Sequence, residues 1–197
     1  QFSTHLFLIT IIILTVNSVS TFANIYDVNS LAATNTGTGT SGTLRYCITQ
    51  ANLSLGPHTI NFSVAGTISI NSSSNMLPAL SKEITIDATT APGYAGVPVI
   101  ILDGTGSGSG NGLEITGANC KIYGLQIQNF PYRGLYINGE IADNFVIGAA
   151  GKGNVIVLSG YYGISVDAAD NGIITYNKVG TDATGTVCED ARQGGIN

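Results

Sequence analysis

The chain repeats one short phrase four times, as Gly112-Leu113-Glu114-Ile115, Gly134-Leu135-Tyr136-Ile137, Gly163-Ile164-Ser165-Val166 and, in shortened form, Gly195-Ile196-Asn197. In each complete phrase a glycine precedes two aliphatic side chains that flank one polar or amphipathic residue. This alternation with a period of two is typical of a β-strand with one buried face. Each phrase is therefore predicted to be a short strand that follows a corner of the chain.

The spacing of the four phrases indicates a repeat architecture. Their glycines stand 22, 29 and 32 residues apart, which lies in the range typical of repeat folds. Residues 122–127 also line up with residues 174–179, because both runs begin and end on apolar side chains, and residues 154–158 add another strand between them. Strands this short cannot form a core alone, so we expect neighbouring turns of a coil to bury their apolar sides.

The alternation within the phrases assigns an inward and an outward set of side chains. We expect the inward set to stack in columns from one turn of the coil to the next: Leu113, Ile115, Leu135, Ile137, Ile164 and Val166. The outward column is Glu114, Tyr136, Ser165 and Asn197. A ladder that mixes an aromatic ring with hydrogen-bonding side chains can stack on and hold a sugar. Glu114, Tyr136 and Ser165 are therefore candidate glycan contacts, with a plain solvated face as the alternative.

The composition excludes several classes of protein. The 197 residues include 26 glycines and no tryptophan, and 10% are charged against 44% hydrophobic, as expected for strands and turns rather than long charged helices. The formal net charge is −5, so we expect no nucleic-acid partner. Long-range attraction would not draw anionic polymers to the chain either.

The first residues have the pattern of a secretory signal peptide. Residues 6–16 are apolar except for Thr10 and Thr15, and the small-residue pattern Thr21-Phe22-Ala23 follows. We therefore expect residues 1–23 to be removed by cleavage near Ala23, and the mature protein to be secreted or at the cell surface. A membrane anchor is the alternative, although the apolar run is shorter than the ~20 residues that span a bilayer. No other segment could span, so no membrane span is expected in the mature chain.

The mature chain divides into a lead-in with a cap, residues 24–58, and a parallel β-helix, residues 59–197. Residues 24–42 are polar and read as a surface lead-in. Residues 44–52 predict a short helix, which Ser41 or Thr43 can cap, with an apolar stripe that consists of Leu44, Cys47, Ile48 and Ala51. We expect this helix to cover the first turn of the coil. After a turn at residues 55–58, strands are predicted at residues 59–64, 67–70, 84–86 and 97–102. The chain begins at Gln1 and stops just after the fourth phrase opens, so we expect a longer solenoid truncated at its carboxyl end.

Several other phrases carry a family resemblance. They are Gly42-Thr43-Leu44-Arg45 with Ala51-Asn52, His58-Thr59-Ile60-Asn61-Phe62, Leu77-Pro78-Ala79-Leu80, Ile84-Thr85-Ile86-Asp87, Gly153-Asn154-Val155-Ile156 and Val179-Gly180-Thr181-Asp182-Ala183-Thr184-Gly185-Thr186. The chain resembles secreted bacterial right-handed parallel β-helix repeat proteins of pectin-lyase-like fold and adhesin-like type. The resemblance covers residues 24–197 and implies an all-β, single-stranded right-handed parallel β-helix (solenoid) with a short N-terminal capping helix. It departs from the family phrases at Tyr46-Cys47, His58 and Ala88.

Parallel β-helices of this kind often act on polysaccharides, so the acids and cations are candidate catalytic groups. In the repeat region these are Asp143, Asp167, Asp170, Asp182, Glu189 and Asp190, with Arg133, Lys152, Lys178 and Arg192 as carboxylate partners. Most of the acids stand beside Gly, Ala or Asn, which is typical of turns. The two histidines, His5 and His58, lie outside the repeats. The pectinase phrases Asp-Asp and Gly-His-Gly are missing, and we expect no catalytic residue within these 197 residues.

Other motifs carry no cofactor. The glycine-rich residues 104–112 lack the dinucleotide fingerprint and read as a flexible corner loop, and Gly151-Lys152-Gly153 lacks the residues of a P-loop. Three cysteines, Cys47, Cys120 and Cys188, cannot all pair and stand apart from any further Cys or His that would complete a zinc site. We expect no cofactor, and calcium bound by turn carboxylates and carbonyls is an open alternative.

The sequence therefore leads to two functional hypotheses. The first is a secreted or cell-surface structural and adhesive β-helix that binds a polysaccharide or cell-surface glycan without catalysis. The alternative is a carbohydrate-active enzyme, a polysaccharide lyase or glycoside hydrolase, whose catalytic rungs lie beyond Asn197.

Overall fold

The computed structural model describes residues 22–188 and 194–197. The predicted signal peptide, apart from its last two residues, lies outside these ranges, as do Glu189, Asp190 and Arg192. Within them, no helix has the length and apolar character that crossing a membrane requires. The described chain is mostly β, and its strands form three sheets of eight, five and four strands.

The strands are short, and most have two to six residues. In chain order they are β1 (Ile25–Ser30), β2 (Gly37–Thr38), β3 (Ser41–Thr43), β4 (His58–Phe62), β5 (Gly66–Ser69), β6 (Ile84–Asp87), β7 (Ile100–Asp103), β8 (Leu113–Ile115), β9 (Lys121–Tyr123), β10 (Leu125–Gln128), β11 (Leu135–Asn138), β12 (Val146–Ile147), β13 (Val155–Val157), β14 (Tyr162–Asp167), β15 (Ile173–Ile174), β16 (Lys178–Val179) and β17 (Gly194–Ile196). One α-helix, α1 (Leu44–Ala51), and two 3₁₀ turns, Ser73–Asn75 and Ala88–Thr90, complete the elements of the described residues.

The order of strands in the three sheets fits a β-solenoid. The first sheet runs β15-β12-β9-β6-β4-β1-β3-β2, the second β16-β13-β10-β7-β5 and the third β17-β14-β11-β8. From β6 onward the chain visits the first, second and third sheet in turn, four times over. We call each such set of three strands a rung. Neighbouring strands are parallel throughout except for β2 and β3, which are antiparallel.

The predicted inward columns are confirmed. Leu135 pairs with Leu113 and Ile164 in the neighbouring rungs, and the Ile115, Ile137 and Val166 positions pair in the same way. All six side chains belong to or pack against one apolar core, and only Val166 is partly exposed. The predicted match of residues 122–127 with 174–179 also holds, with one rung in between: Ile147 separates Ile122 from Ile174.

The glycines that open the first three phrases stand in close contact with neighbouring parts of the coil. A Cβ atom on Gly134 would lie 2.3 Å from Cγ2 of Ile156 and 2.8 Å from the carbonyl oxygen of Gly163. A Cβ atom on Gly163 would lie 2.3 Å from Val179 and 2.9 Å from the Gly195 carbonyl. Real Cβ atoms do not approach other atoms this closely. The repeat therefore needs glycine at these corners.

The predicted helix is confirmed and closes the start of the coil. Thr43 caps α1 by accepting a hydrogen bond from the Tyr46 N–H at 3.2 Å. The predicted stripe is buried, and the helix packs against the first-sheet strands β1, β3 and β4. An eight-residue helix is unstable alone in water, so α1 depends on the packing of its buried apolar face for stability.

Two expectations about the lead-in are wrong. Residues 24–42 are not only a polar surface segment, because Tyr26 and Val28 alternate with exposed neighbours and are buried in β1. This period of two is that of a strand with one buried face. β1 pairs in parallel with β4 in the first sheet. His58 does not lie in a turn but begins β4 and is 1% exposed. Its Nδ1 atom accepts a hydrogen bond from the Asn24 N–H at 3.3 Å.

A side-chain tie spans three rungs on the outside of the coil. Lys152, between β12 and β13, extends to Asp87 at the end of β6, where Nζ lies 2.8 Å from Oδ2. On the way Nζ passes 5.3 Å from the ring centroid of Tyr123, in the rung between. The Tyr94 hydroxyl, in the β6–β7 loop, donates to the Gly151 carbonyl at 2.9 Å. The tie joins two rungs that share no backbone hydrogen bonds of their own strands.

Candidate functional site

The predicted outward column is present on the third sheet. Tyr136 pairs with Glu114 in the preceding rung and with Ser165 in the next. The amide Nδ2 of Asn197 lies 3.5 Å from the Ser165 hydroxyl oxygen. All four residues therefore follow one line across the rungs, as the register of the repeat predicted.

Ser165 nevertheless offers no surface to a ligand, because the residue is 0% exposed. The Tyr136 side chain crosses to the next rung and donates its hydroxyl to Oδ2 of Asp167 at 2.8 Å. Asp167 stands two residues after Ser165 in β14, so the tyrosine ring passes beside the serine, which Asn197 flanks on the other side. Ser165 is therefore corrected from a candidate contact residue to a buried one, while Glu114 and Tyr136 keep partly exposed side chains.

Arg133 completes this face of the third sheet. It lies in the loop that leads into β11, and its Cζ atom is 4.2 Å from the centroid of the Tyr136 ring. This is the distance of a cation–π contact. The Nε atom of Arg133 is buried and has no hydrogen-bond partner among the described residues. Arg133, Tyr136 and Asp167 therefore form one connected group, which we call the sheet-three cluster.

The cluster holds Tyr136 in its neutral form. Burial raises the pKa of the Tyr136 phenol, and the hydrogen bond to the Asp167 carboxylate and the charges of Asp167 and Glu114 raise it further, against the opposing effect of Arg133. A phenol with a raised pKa keeps its proton at neutral pH. Tyr136 is therefore a hydrogen-bond donor and a ring surface, not a base.

Two of the remaining described acids of the repeats, Asp143 and Asp182, bind groups of turn segments, Asp143 across to the next rung and Asp182 within its own turn. Oδ1 of Asp143 accepts the Asp170 N–H at 2.6 Å. Asp182 accepts hydrogen bonds from the Thr184 hydroxyl and from the Val187 N–H, which lower its pKa to about 2. These contacts agree with the predicted turn role of the acids. Asp167 is different, because its carboxylate binds a tyrosine of another strand.

The other predicted cations also have specific partners. Lys152 pairs with Asp87 rather than with an acid of the repeat phrases. The Nζ atom of Lys178 donates to the carbonyl oxygen of Ala183 in the turn that follows. Arg133 is the one described cation of the predicted set that lies on the outward column.

The described part of the chain contains no metal-binding cluster of three or more His, Cys, Asp or Glu side chains. All three thiols are free, with Cys47 and Cys120 buried and Cys188 exposed. Burial raises the pKa of Cys47 to about 12, helped by the charge of Asp27, and burial raises that of Cys120 to about 11. Buried thiols with such pKa values are poor metal ligands and poor nucleophiles.

The glycine-rich residues 104–112 form the predicted corner, between β7 and β8. Asp103 fixes the start of this corner, because its Oδ1 accepts the N–H of Thr105 at 2.9 Å and the Thr105 hydroxyl at 2.6 Å. This is an Asx-type turn. No helix follows the loop, so its N–H groups form no phosphate-binding helix end.

An exposed pair of tyrosines was missed by the sequence analysis. Tyr132 and Tyr161 stand on neighbouring rungs with ring centroids 5.5 Å apart, and each keeps a large exposed fraction, 43% and 40%. A signal for them was present, because each tyrosine precedes the glycine of its repeat phrase, Gly134 or Gly163, by two residues. This constant offset places both tyrosines at the same corner of successive rungs.

Two cavities adjoin the tyrosine pair. One, of about 240 Å³, is lined by Tyr132, Arg133 and Tyr161. The other, of about 530 Å³, lies along the corner between the second and third sheets, and its lining includes Thr105, Leu158 and Ser159. The larger volume is within the range of small-molecule sites.

No family model, curated protein or solved structure matches this chain. The resemblance to right-handed parallel β-helix repeat proteins therefore stays a prediction, which rests on the quoted phrases. The function has to be inferred from the sheet-three cluster and its surroundings.

Proposed function

We propose that this chain is a secreted or cell-surface β-helix with a structural and adhesive role, which binds a glycan on the outward face of its third sheet without catalysis. The single observation that carries the proposal is the sheet-three cluster. It combines an aromatic ring, a guanidinium and a carboxylate on paired strands.

We also propose that the coil is a single-stranded right-handed β-helix. Its support is the regular visit of the chain to the three sheets, rung after rung. Connections that return to a parallel strand of the same sheet are right-handed in about 98% of cases. The quoted family phrases favour the same hand.

The cluster suits a sugar for physical reasons. A sugar ring has a C–H face that packs on an aromatic ring and hydroxyl groups that both donate and accept hydrogen bonds. Tyr136 supplies the ring, Asp167 and Glu114 supply acceptors, and Arg133 supplies a donor. Strand pairing holds these groups at fixed positions, so little freedom is lost on binding.

The same contacts favour binding over catalysis. Glycan cleavage by a β-helix requires a group that takes or gives a proton near neutral pH. The raised pKa of Tyr136 removes its phenolate from that role, and Asp167 is already engaged with the phenol. An adhesive face needs hydrogen bonds of this kind and no poised base.

Secretion is the part of the proposal that rests on residues 1–23 alone. The mature chain should begin near Asn24, which already participates in the fold, because its N–H binds His58.

Binding to immobilised plant, algal and bacterial glycans tests the proposal directly. We expect the wild-type mature chain to bind at least one class of glycan, and Tyr136→Phe and Asp167→Asn to weaken that binding by about tenfold through loss of one ordered hydrogen bond. Tyr176→Phe is the matched control, since Tyr176 is exposed on another corner of the coil. Binding to no glycan, or release of reducing or unsaturated ends that Asp167→Asn abolishes, would contradict the proposal.

A further inference from the structure

The tyrosine pair at the corner between the second and third sheets is built into the backbone of two rungs. The Tyr161 N–H donates to the Tyr132 carbonyl at 2.8 Å, and the Gly160 N–H donates to the Phe130 carbonyl at 2.8 Å. The two rings are tilted by 36° to each other. Their positions are therefore set by the same hydrogen bonds that hold the rungs together. Exposed aromatic surface that is held in place in this way is typical of a binding site.

The backbone beside the pair is strained. Leu158, at the start of the same corner, has φ of +52° and is 45% exposed. The equivalent corner of the preceding rung places Asn129 at φ +62°, which asparagine tolerates far better than a bulky residue does. Tyr176, on a corner of the last described rung, has the same kind of backbone conformation at φ +58°. Leu158 lines the larger cavity with Thr105 and Ser159.

Two polar atoms at this corner lack partners within the described chain. They are Nε of Arg133 and Oγ of Ser159, both buried. Their residues line the smaller and the larger cavity respectively. Buried polar groups without a partner are costly.

The charges around the corner favour a neutral ligand. Asp167 belongs to the sheet-three cluster with Arg133, and Glu114 lies close to Tyr136 of the same cluster. Asp103 ends β7 next to the larger cavity, where Thr105 binds it. The Arg133 guanidinium thus shares this face with the carboxylates of Asp167 and Glu114, in a chain of net charge −5. A polymer of sugar acids would be repelled, while an uncharged sugar would not.

From these observations we infer that the corner forms a separate subsite, in which Tyr132 and Tyr161 receive the ring face of a neutral hexopyranose. The ring hydroxyl groups face the cavities beside Arg133 and Ser159. The inference rests on the proposed glycan binding and names its ligand class. An oligosaccharide bound at the corner would extend from the tyrosine pair across Arg133 to Tyr136, because residues 132–136 run continuously from the corner into β11.

Titration of the mature chain with cellohexaose, laminarihexaose and hexagalacturonate tests this subsite. We expect one of the two neutral oligosaccharides to bind, and Tyr132→Ala or Tyr161→Ala to weaken its binding by about tenfold or more. Tyr132→Phe should bind within about twofold of wild type, since stacking needs the ring and not the hydroxyl. Tyr176→Ala, which removes an exposed tyrosine from another corner, is the matched control.

The outcomes separate this inference from the broader proposal. If hexagalacturonate binds, the two neutral oligosaccharides do not, and Tyr136→Phe weakens binding, the subsite is wrong while the sheet-three face stands. If a neutral oligosaccharide binds equally well to Tyr132→Ala, Tyr161→Ala and wild type, the subsite is wrong as well. Binding to no sugar at all overturns both. Melting curves of all variants show whether a loss of binding comes from a loss of fold, and we expect them to change little because the two tyrosines are 43% and 40% exposed.

Discussion

Similar apolar side chains are buried at the start of the coil, where α1 covers them, and exposed in its last described rung. At the start, Leu44 and Ile48 of α1 lie over the first strands, and Ile60 beneath them is fully buried. In the last rung Ile196 is 57% exposed, although it occupies the same column as the fully buried Ile164. Position in the column therefore does not bury a side chain by itself. Burial requires an element on both sides, whether another rung or a helix.

The largest effect is expected when the same substitution, isoleucine to aspartate, is made at a buried and at an exposed position of one column. Ile164→Asp should lower the free energy of unfolding by about 4 kcal/mol or more, because an unpaired carboxylate would enter a packed interior. In the 197-residue chain, Ile196→Asp should change it by less than about 0.5 kcal/mol, since that side chain is 57% exposed there. Urea unfolding followed by circular dichroism measures both values.

Equal stability losses in the two variants would contradict the idea that burial depends on both neighbours. If Ile164→Asp melts within a degree or two of wild type, the inward register of β14 is wrong as well. A surface change such as Tyr176→Phe serves as the reference for the size of a neutral effect.

A smaller difference is expected for the corner glycines. Gly134→Ala should cost about 1–3 kcal/mol, because the new methyl group would overlap Ile156 and the Gly163 carbonyl. Gly195→Ala should be close to neutral, since the nearest atom to its Cβ position is Val179 Cγ1 at 3.7 Å. Thermal melting of the two single variants compares them. A Gly134→Ala protein as stable as the wild type would mean that neighbouring rungs can move apart at this corner.

Chemical labelling of the cysteines perturbs the protein least. It compares buried and exposed side chains without a substitution. At pH 8 we expect Cys188 to react rapidly with a thiol reagent, and Cys47 and Cys120 to react only after unfolding. The thiolate is the reactive form, and pKa values of about 12 and about 11 leave little of it on the buried cysteines. Cys47 and Cys120 would carry much thiolate in the folded protein only in strongly alkaline solution. Mass spectrometry of digested, labelled protein identifies the sites; labelling of Cys120 as fast as Cys188 would contradict the packing of the middle rungs.

The repeat phrases were sufficient to predict the third sheet. Alternation and a leading glycine are local properties, so the register of Leu113, Leu135 and Ile164 could be read from spacing alone. The helix was equally accessible, because its stripe and its Thr43 cap are written in consecutive residues. β1 was missed because only two of its residues, Tyr26 and Val28, are apolar and inward.

The candidate site was less predictable, because it depends on contacts across rungs. Ser165 occupies an outward position by alternation, and only the reach of Tyr136 to Asp167 shows that it is covered. The approach of Arg133 to the Tyr136 ring is likewise a matter of side-chain direction. Tyr132 and Tyr161 could have been found from their offset to the repeat glycines, but their 5.5 Å separation required the stacked rungs.

The tie between Lys152 and Asp87 has a mechanical consequence. In a stack of parallel strands, tension along the coil axis pulls on the inter-strand hydrogen bonds one row after another, so a stack of independent rungs would separate from its ends. Lys152 passes over Tyr123 and binds two rungs away, and Tyr94 binds Gly151 in the same region. These contacts carry load around the middle rung in parallel with its backbone. Under a pulling force the first and third of these rungs should therefore separate only after Lys152 has released Asp87, which adds at most about 1 kcal/mol for a partly exposed ion pair.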